Sequence, residues 1–280
     1  MRLKGRVAIV TGGGRGIGKA IALTFAREGA EVAVTARTES EISAVADEIR
    51  TLGRKAAAVP CDVTQEGSVN AMVERVVKEL GEPYILVNNA GVMIVGDVAS
   101  VEADNWIYGI TVSLTGAFLC SKAVLKYMIL RRGGKIINMA SRAAKISSPH
   151  VSSYSAAKFG LIGLTKSLSD EVKKLGINVN AICPGFVDTK MVRDGVGSEQ
   201  SWVPSPICLG SVPPSPYKVA RRKSPTEPMI APKNSNPAQE AAIFPSHSTR
   251  EPVCERGEEG EEEQTICRAA GRDTLSTTAA

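Results

Sequence analysis

The sequence predicts an α/β fold, a doubly wound parallel sheet with helices on both faces. Three observations predict it. Short runs rich in Val, Ile and Ala alternate with longer stretches of helical periodicity, and the links between them are short. The short runs are continuously apolar rather than alternating, as strands buried on both faces are. A glycine cluster, Gly12 to Gly18, separates the first strand-like run from the first helical stretch.

The elements follow in order. Arg6 to Thr11 reads as the first strand, and Lys19 to Gly29 as a helix with Ile21, Ala22, Phe25 and Ala26 on one side. Glu31 to Thr35 is a strand and Ser40 to Leu52 a helix. Lys55 to Pro60 is a third strand, followed by a helix over Glu66 to Leu80. Tyr84 to Asn88 is a fourth strand, with helices through Lys126. Lys135 to Ala140 is a fifth strand, Ser152 to Lys174 a long helix, and Ile177 to Ile182 a sixth strand. In such a sheet ligands bind outside the carboxyl ends of the strands. The glycine loop, Asp62, Asn88 to Gly91, Ser141 and Pro184-Gly185 all fall there.

Strand, glycine turn and helix give the loop its meaning. Gly12 allows a tight turn, Gly16 lets the backbone approach a phosphate, and Gly18 lets helix and strand pack closely. The helix N-terminus then offers free N–H groups to a pyrophosphate. A second pattern is Tyr154-Ser-Ala-Ala-Lys158, with Ser141 thirteen residues upstream. Residues four apart share a helix face. An ammonium beside a phenol lowers the phenol pKa, and such a tyrosine passes a proton to or from a carbinol oxygen. A serine hydroxyl at the same oxygen would hold it. The alternative is a half-buried tyrosine beside a surface lysine.

Residues 1 to about 194 resemble the short-chain dehydrogenase/reductase family, and within it the 3-oxoacyl-[acyl-carrier-protein] reductases. Thr-Gly-x-x-x-Gly-x-Gly stands at 11–18, Asn-Asn-Ala-Gly at 88–91, then Ser141, Tyr-x-x-x-Lys at 154–158 and Pro-Gly-x-x-x-Thr at 184–189. The resemblance implies a Rossmann-type sheet and hydride transfer between a nicotinamide and a carbonyl or alcohol carbon, with a 3-oxoacyl thioester among the candidate substrates. It implies that Tyr154 is the acid/base, that Lys158 holds the nicotinamide ribose and lowers the Tyr154 pKa, and that Ser141 positions the substrate oxygen. Gly12, Arg15, Gly16, Ile17, Gly18, Arg37, Asp62, Val63, Asn89, Ala90, Gly91, Pro184, Gly185, Val187 and Thr189 would surround the cofactor, with Asp62 and Val63 at the adenine. One position departs from the family. Where it usually has an asparagine that holds a relay water, this chain has Ser113, shorter and without an amide. Family members commonly form tetramers; this chain keeps the helices near 112–130 and 152–174 but shows no family-like last strand, so a homodimer through those helices is expected.

The position that usually reads the ribose is Ala36, followed by Arg37, and Arg15 lies in the glycine loop. Two guanidinium groups and no carboxylate suit a 2′-phosphate, so the expected cofactor is NADP(H). The alternative is two exposed arginines on a basic surface.

Beyond residue 194 the sequence changes character. Eleven of the fifteen prolines lie there, Lys218 to Lys223 is basic, and Glu255 to Glu263 carries six glutamates in nine residues. Residues 195–280 therefore read as an atypical, disordered segment in place of the family's lid and final strand. A nucleotide-binding remnant with impaired catalysis is the second functional reading.

The remaining composition narrows the class. No apolar run looks long enough to cross a bilayer, and no leader is visible before the first strand, which points to a cytoplasmic protein. Six cysteines without C-x-x-C spacing read as reduced thiols. His150 and His247 are too isolated for a metal site. A net charge of +5 with no basic stripe calls for no nucleic-acid partner.

Overall fold

Six strands form one parallel sheet in the computed structural model, which describes residues 1–145 and 149–195. The strands are β1 (Val7–Thr11), β2 (Glu31–Ala36), β3 (Ala56–Pro60), β4 (Pro83–Asn88), β5 (Gly134–Met139) and β6 (Ile177–Ile182). Their spatial order is β3-β2-β1-β4-β5-β6. The chain winds outward from β1 in one direction and then, from β4, in the other. The crevice between the carboxyl ends of β1 and β4 is therefore the topological switch point, where such sheets bind ligands.

Helices α1 (Gly16–Arg27), α2 (Glu39–Thr51), α3 (Glu66–Leu80), α4 (Ala103–Ile110), α5 (Gly116–Arg131), α6 (Ser152–Val172) and α7 (Lys190–Gly195) complete the described chain. Each long helix buries one stripe. Ala22 and Ala26 of α1 and Ile42, Val45 and Ile49 of α2 pack with Ala8, Val10, Val32 and Val34 of the sheet. Val69, Met72 and Val76 of α3 and Cys120, Val124 and Met128 of α5 pack with Ile9, Leu86 and Ile136. β1 is buried along its whole length, whereas β6 exposes Asn178 and Asn180 next to buried Ile177 and Val179. Central strands thus read as apolar runs, and the flank of the described sheet alternates.

Element types and order follow the sequence reading, with four differences. Helix α1 starts at Gly16, so the glycine motif forms its first turn and points N–H groups at the loop. Helices α4 and α5 are joined without a break through a π-helical turn, Thr111–Thr115, giving one run from Ala103 to Arg131. That run is 29 residues long and contains an 18-residue window with a mean hydropathy of 1.4, by length and composition alone enough to cross a bilayer, which differs from the sequence expectation. Individual apolar stretches are short, but the π turn fuses two helices, and 56% of the apolar window is buried inside the domain. Finally, α7 was not anticipated; its first turn hangs on the Thr189 carbonyl, which accepts from the Val192 and Arg193 amides. The segment read as an atypical, disordered replacement for the family's lid and last strand, together with the boundary at 194, lies at and beyond the end of the described residues.

Candidate functional site

At the switch point, backbone shape does the work. Thr11 ends β1, and its hydroxyl accepts from the Asn89 amide at 2.9 Å and the Ala90 amide at 3.0 Å while donating to the Val87 carbonyl. The Asn89 side-chain amide donates to the carbonyls of Thr11 and Gly12, both at 3.0 Å. The loops after β1 and β4 are thereby clamped together. Gly12 and Gly16 sit at positive φ, 61° and 53°. A Cβ on Gly18 would lie 2.2 Å from the Gly12 carbonyl oxygen, so only glycine fits there. Gly16 faces Thr189, whose methyl would be 3.3 Å from an added Cβ. No side chain caps the start of α1 and no acidic residue lies in its first turn, leaving its N–H groups for an anion. This cradle fits a dinucleotide pyrophosphate.

The second part gathers side chains. Ser141, Tyr154 and Lys158 line one cavity with Ile17, Asn89 and Gly91. Pro184, Gly185, Val187 and Thr189, from the loop after β6, close it from the other side. Ser141 is extended at the end of β5 and accepts from the Ala143 amide at 3.1 Å. Tyr154 and Lys158 lie one turn apart on α6, and the Lys158 ammonium is 5.4 Å from the Tyr154 ring centre. Lys158 is 4% exposed, and its Nζ donates to the Met139 carbonyl at 2.6 Å.

The electrostatics correct one expectation. Burial pushes the Tyr154 phenol above its ordinary range, with the Ser141 hydroxyl acting in the opposite sense. Burial also pushes Lys158 down to about 8. In a dry site both charged forms are penalised, and that penalty outweighs the mutual attraction expected from the spacing. The Tyr154 phenol is thus neutral at pH 7.

Ser113 lies in the π turn, buried, with its hydroxyl 3.3 Å from the Val92 amide. It and Lys158 converge on Gly91: a Cβ there would meet Ser113 Oγ at 3.4 Å and Lys158 Nζ at 3.5 Å. Behind them runs a buried chain that the sequence reading missed. Asn88 donates to Asn138 at 2.8 Å and to Ser121 at 3.0 Å, and Asn138 donates to Thr165 at 2.9 Å. It ties β4 and β5, where Asn88 and Asn138 are register partners, to α5 and α6. The available signal was an asparagine near the end of each of two largely apolar strands.

The adenosine end is more open. Asp62 accepts from the Thr64 amide and hydroxyl in a local turn, while Val63 is buried against Gly116 of α5. Arg37 is exposed and donates to the Tyr108 hydroxyl at 2.7 Å. Arg15 does not stand free of carboxylates: Glu41, in the first turn of α2, lies 3.4 Å from it. His150, at φ 61°, pairs with Asp97 at 2.6 Å where Gly96 bridges to Val151. It thus joins two loops beside the site, while His247 lies outside the described residues. Among the described residues no group of three or more His, Cys, Asp or Glu side chains could hold a metal ion.

Comparison with known proteins agrees with this geometry. The short chain dehydrogenase family matches residues 6–199. The 3-oxoacyl-[acyl-carrier-protein] reductase FabG of Pseudomonas aeruginosa is 39% identical over 210 residues, 75% of this chain and 85% of that protein. The FabG of Escherichia coli is 39% identical over 193 residues, 69% of this chain and 78% of that protein. A solved short-chain alcohol dehydrogenase of Sinorhizobium meliloti superposes with a TM-score of 0.66 at 38% identity, covering 68% of this chain and 76% of its own.

Proposed function

The chain belongs to the short-chain dehydrogenase family, and from that premise we propose that it is an NADP(H)-dependent oxidoreductase that reduces a carbonyl, a 3-oxoacyl thioester or a related β-keto ester, to the secondary alcohol. The observation that carries the reading is the convergence of Ser141, Tyr154 and Lys158 on one cavity beside the glycine cradle. A bound nicotinamide supplies the hydride. Tyr154, kept protonated by burial, gives its proton to the carbonyl oxygen as the hydride reaches the carbon. Ser141 donates a hydrogen bond to the same oxygen. Lys158, fixed by the Met139 carbonyl and facing Gly91, is placed to take ribose hydroxyls. The Ser113 hydroxyl, held by the Val92 amide, converges with the Lys158 ammonium on Gly91 and is the group proposed to relay a proton towards Lys158.

Arg37 supports the NADP(H) preference, being a guanidinium just past β2 where a carboxylate would repel a phosphate. Exposed Phe118 on α5 and Phe159 on α6 support a homodimer through the helices near 112–130 and 152–174.

The test is oxidation of NADPH by the full chain with methyl acetoacetate and with an acetoacetyl thioester. Tyr154→Phe is expected to cut kcat by roughly 10²–10⁴-fold while leaving NADPH binding nearly unchanged. Near-normal turnover in that variant would remove Tyr154 from the acid/base role. A second reading rests on one observation: the matches to relatives cover 193 to 210 residues of this 280-residue chain. Under it the chain binds nucleotide but turns over poorly, and the same assay would show tight NADPH binding with no oxidation.

A further inference from the structure

We propose that Tyr108 is a cofactor-specificity residue: its phenol aims the Arg37 guanidinium and adds its own hydroxyl to the group that reads a phosphate on the adenosine ribose. The proposal rests on the NADP(H) reading above and extends it to a residue outside the family motifs.

Two arginines lie at this end of the site, and they differ. Arg15 is paired with Glu41. Arg37 has no carboxylate within ion-pair distance among the described residues; its partner is Tyr108, at 2.7 Å, with the ring centre 6.0 Å from the guanidinium carbon. The bond leaves both side chains with donors to spare. Tyr108 accepts through oxygen and keeps its O–H, while Arg37 uses one of five N–H groups. A single anion between them would receive charge-assisted bonds from both.

The two residues come from opposite winding directions of the sheet, Arg37 from the end of β2 and Tyr108 from α4 after β4. The Tyr108 ring is half-buried against the core cluster that holds Cys61, Val63 and Val112. Val63 is half of the pair expected at the adenine. The phenol is therefore anchored beside the adenosine position, and α4 is itself pinned to the start of α6 by the Trp106 indole donating to Ser152 at 3.1 Å. An exposed arginine ordinarily loses side-chain freedom when it binds an anion. One already held by an anchored phenol loses less, and that pre-organisation favours binding.

The test uses adenosine 2′,5′-bisphosphate and adenosine 5′-monophosphate as probes, titrated calorimetrically into the full chain and into Tyr108→Phe. The substitution keeps the ring and its packing, so folding is preserved. The expected result is a roughly tenfold loss for the bisphosphate and no change for the monophosphate, the size of one hydrogen bond to a charged group. Equal losses for both probes would mean a structural ring, and no loss for either would mean a bystander; both overturn the proposal. A wild-type chain that prefers the bisphosphate while Tyr108→Phe keeps that preference sinks the Tyr108 role alone. A wild-type chain without the preference sinks the NADP(H) reading, and Tyr108 with it.

Discussion

The two halves of the sheet build their parts of the site by different means. In the half formed by β1, β2 and β3, the chain makes a cradle from backbone, and side chains are important by their absence at Gly12, Gly16 and Gly18. In the half formed by β4, β5 and β6, the chain gathers the side chains of the proposed reactive centre, and buried polar groups tie the surrounding strands and helices together. A cradle tolerates no added atom but needs no tuned pKa. A reactive centre needs burial to set proton affinities and a supporting network to fix geometry. The first half therefore fails by steric overlap and the second by electrostatics, and substitutions that distinguish these failures test the contrast directly.

The largest expected effect is steric. Gly18→Ala places a methyl 2.2 Å from a carbonyl oxygen and 2.6 Å from the Asn89 amide nitrogen, both fixed by the clamp between the loops. Relief requires moving α1 off β1. We expect a loss of about 3 kcal/mol in stability from such overpacking and loss of NADPH binding, read from denaturant midpoints and by titration. A stable Gly18→Ala chain that binds NADPH normally would show that the cradle is not rigid.

The next effect is electrostatic and belongs to the other half. Lys158 titrates at about 8 in the folded chain against an ordinary 10.5. Between those values the unfolded chain holds more protons, so this group's contribution to stability rises as pH climbs from about 8 to about 10.5. Below pH 8 the full penalty of the buried ammonium is present. Lys158→Met removes the penalty. Its thermal midpoint should exceed that of the native chain most at pH 7, and the gap should close towards pH 10.5. A gap independent of pH would show that Lys158 is well solvated.

Smaller effects follow at the open end and in the support. Arg37→Ala should weaken NADPH roughly ten- to a hundred-fold and leave NADH nearly unchanged, because only the former carries the phosphate. Thr165→Val keeps shape but removes the acceptor of the Asn138 amide inside the β4–β5 half. It should cost about 1 kcal/mol and lower kcat more than it raises KM, if the network steadies Met139 and hence Lys158.

The same contrast explains what the sequence revealed. The cradle was legible because glycine patterning is local: the strand before it, the spacing within it and the helix after it are contiguous. The side-chain cluster was legible as a list of residues, since Ser141, Tyr154 and Lys158 stand in family spacing and line one cavity. Their proton affinities were not, because burial depends on residues distant in the chain, and the attraction between Tyr154 and Lys158 was overestimated for that reason. The Asn88–Asn138–Thr165 chain and the Arg37–Tyr108 bond were also invisible. Each joins residues between 27 and 71 positions apart, and no local pattern marks such pairs. Glu41 came close to Arg15 for the same reason, through the loop that brings α2 back over the glycine turn. The merging of α4 and α5 depended on a π turn, which leaves an apolar periodicity indistinguishable from that of two separate helices.

The smallest expected effect completes the comparison, because it puts a steric change into the half that otherwise fails by electrostatics. An added Cβ on Gly134, at the start of β5, would lie 2.4 Å from the Met128 sulfur, nominally as severe a clash as that at Gly18. The obstacle differs in kind. At Gly18 it is a backbone carbonyl that accepts from the Asn89 side-chain amide; at Gly134 it is mainly the thioether of an unbranched side chain with three rotatable bonds. Met128 is fully buried, so its sulfur must find new space within the core rather than swing into solvent. We expect Gly134→Ala to cost about 1 kcal/mol, at the low end for overpacking, with NADPH binding unchanged. If Gly134→Ala proves as damaging as Gly18→Ala, the distinction between a rigid backbone cradle and a yielding side-chain core is wrong, and the two halves of the sheet are equally stiff.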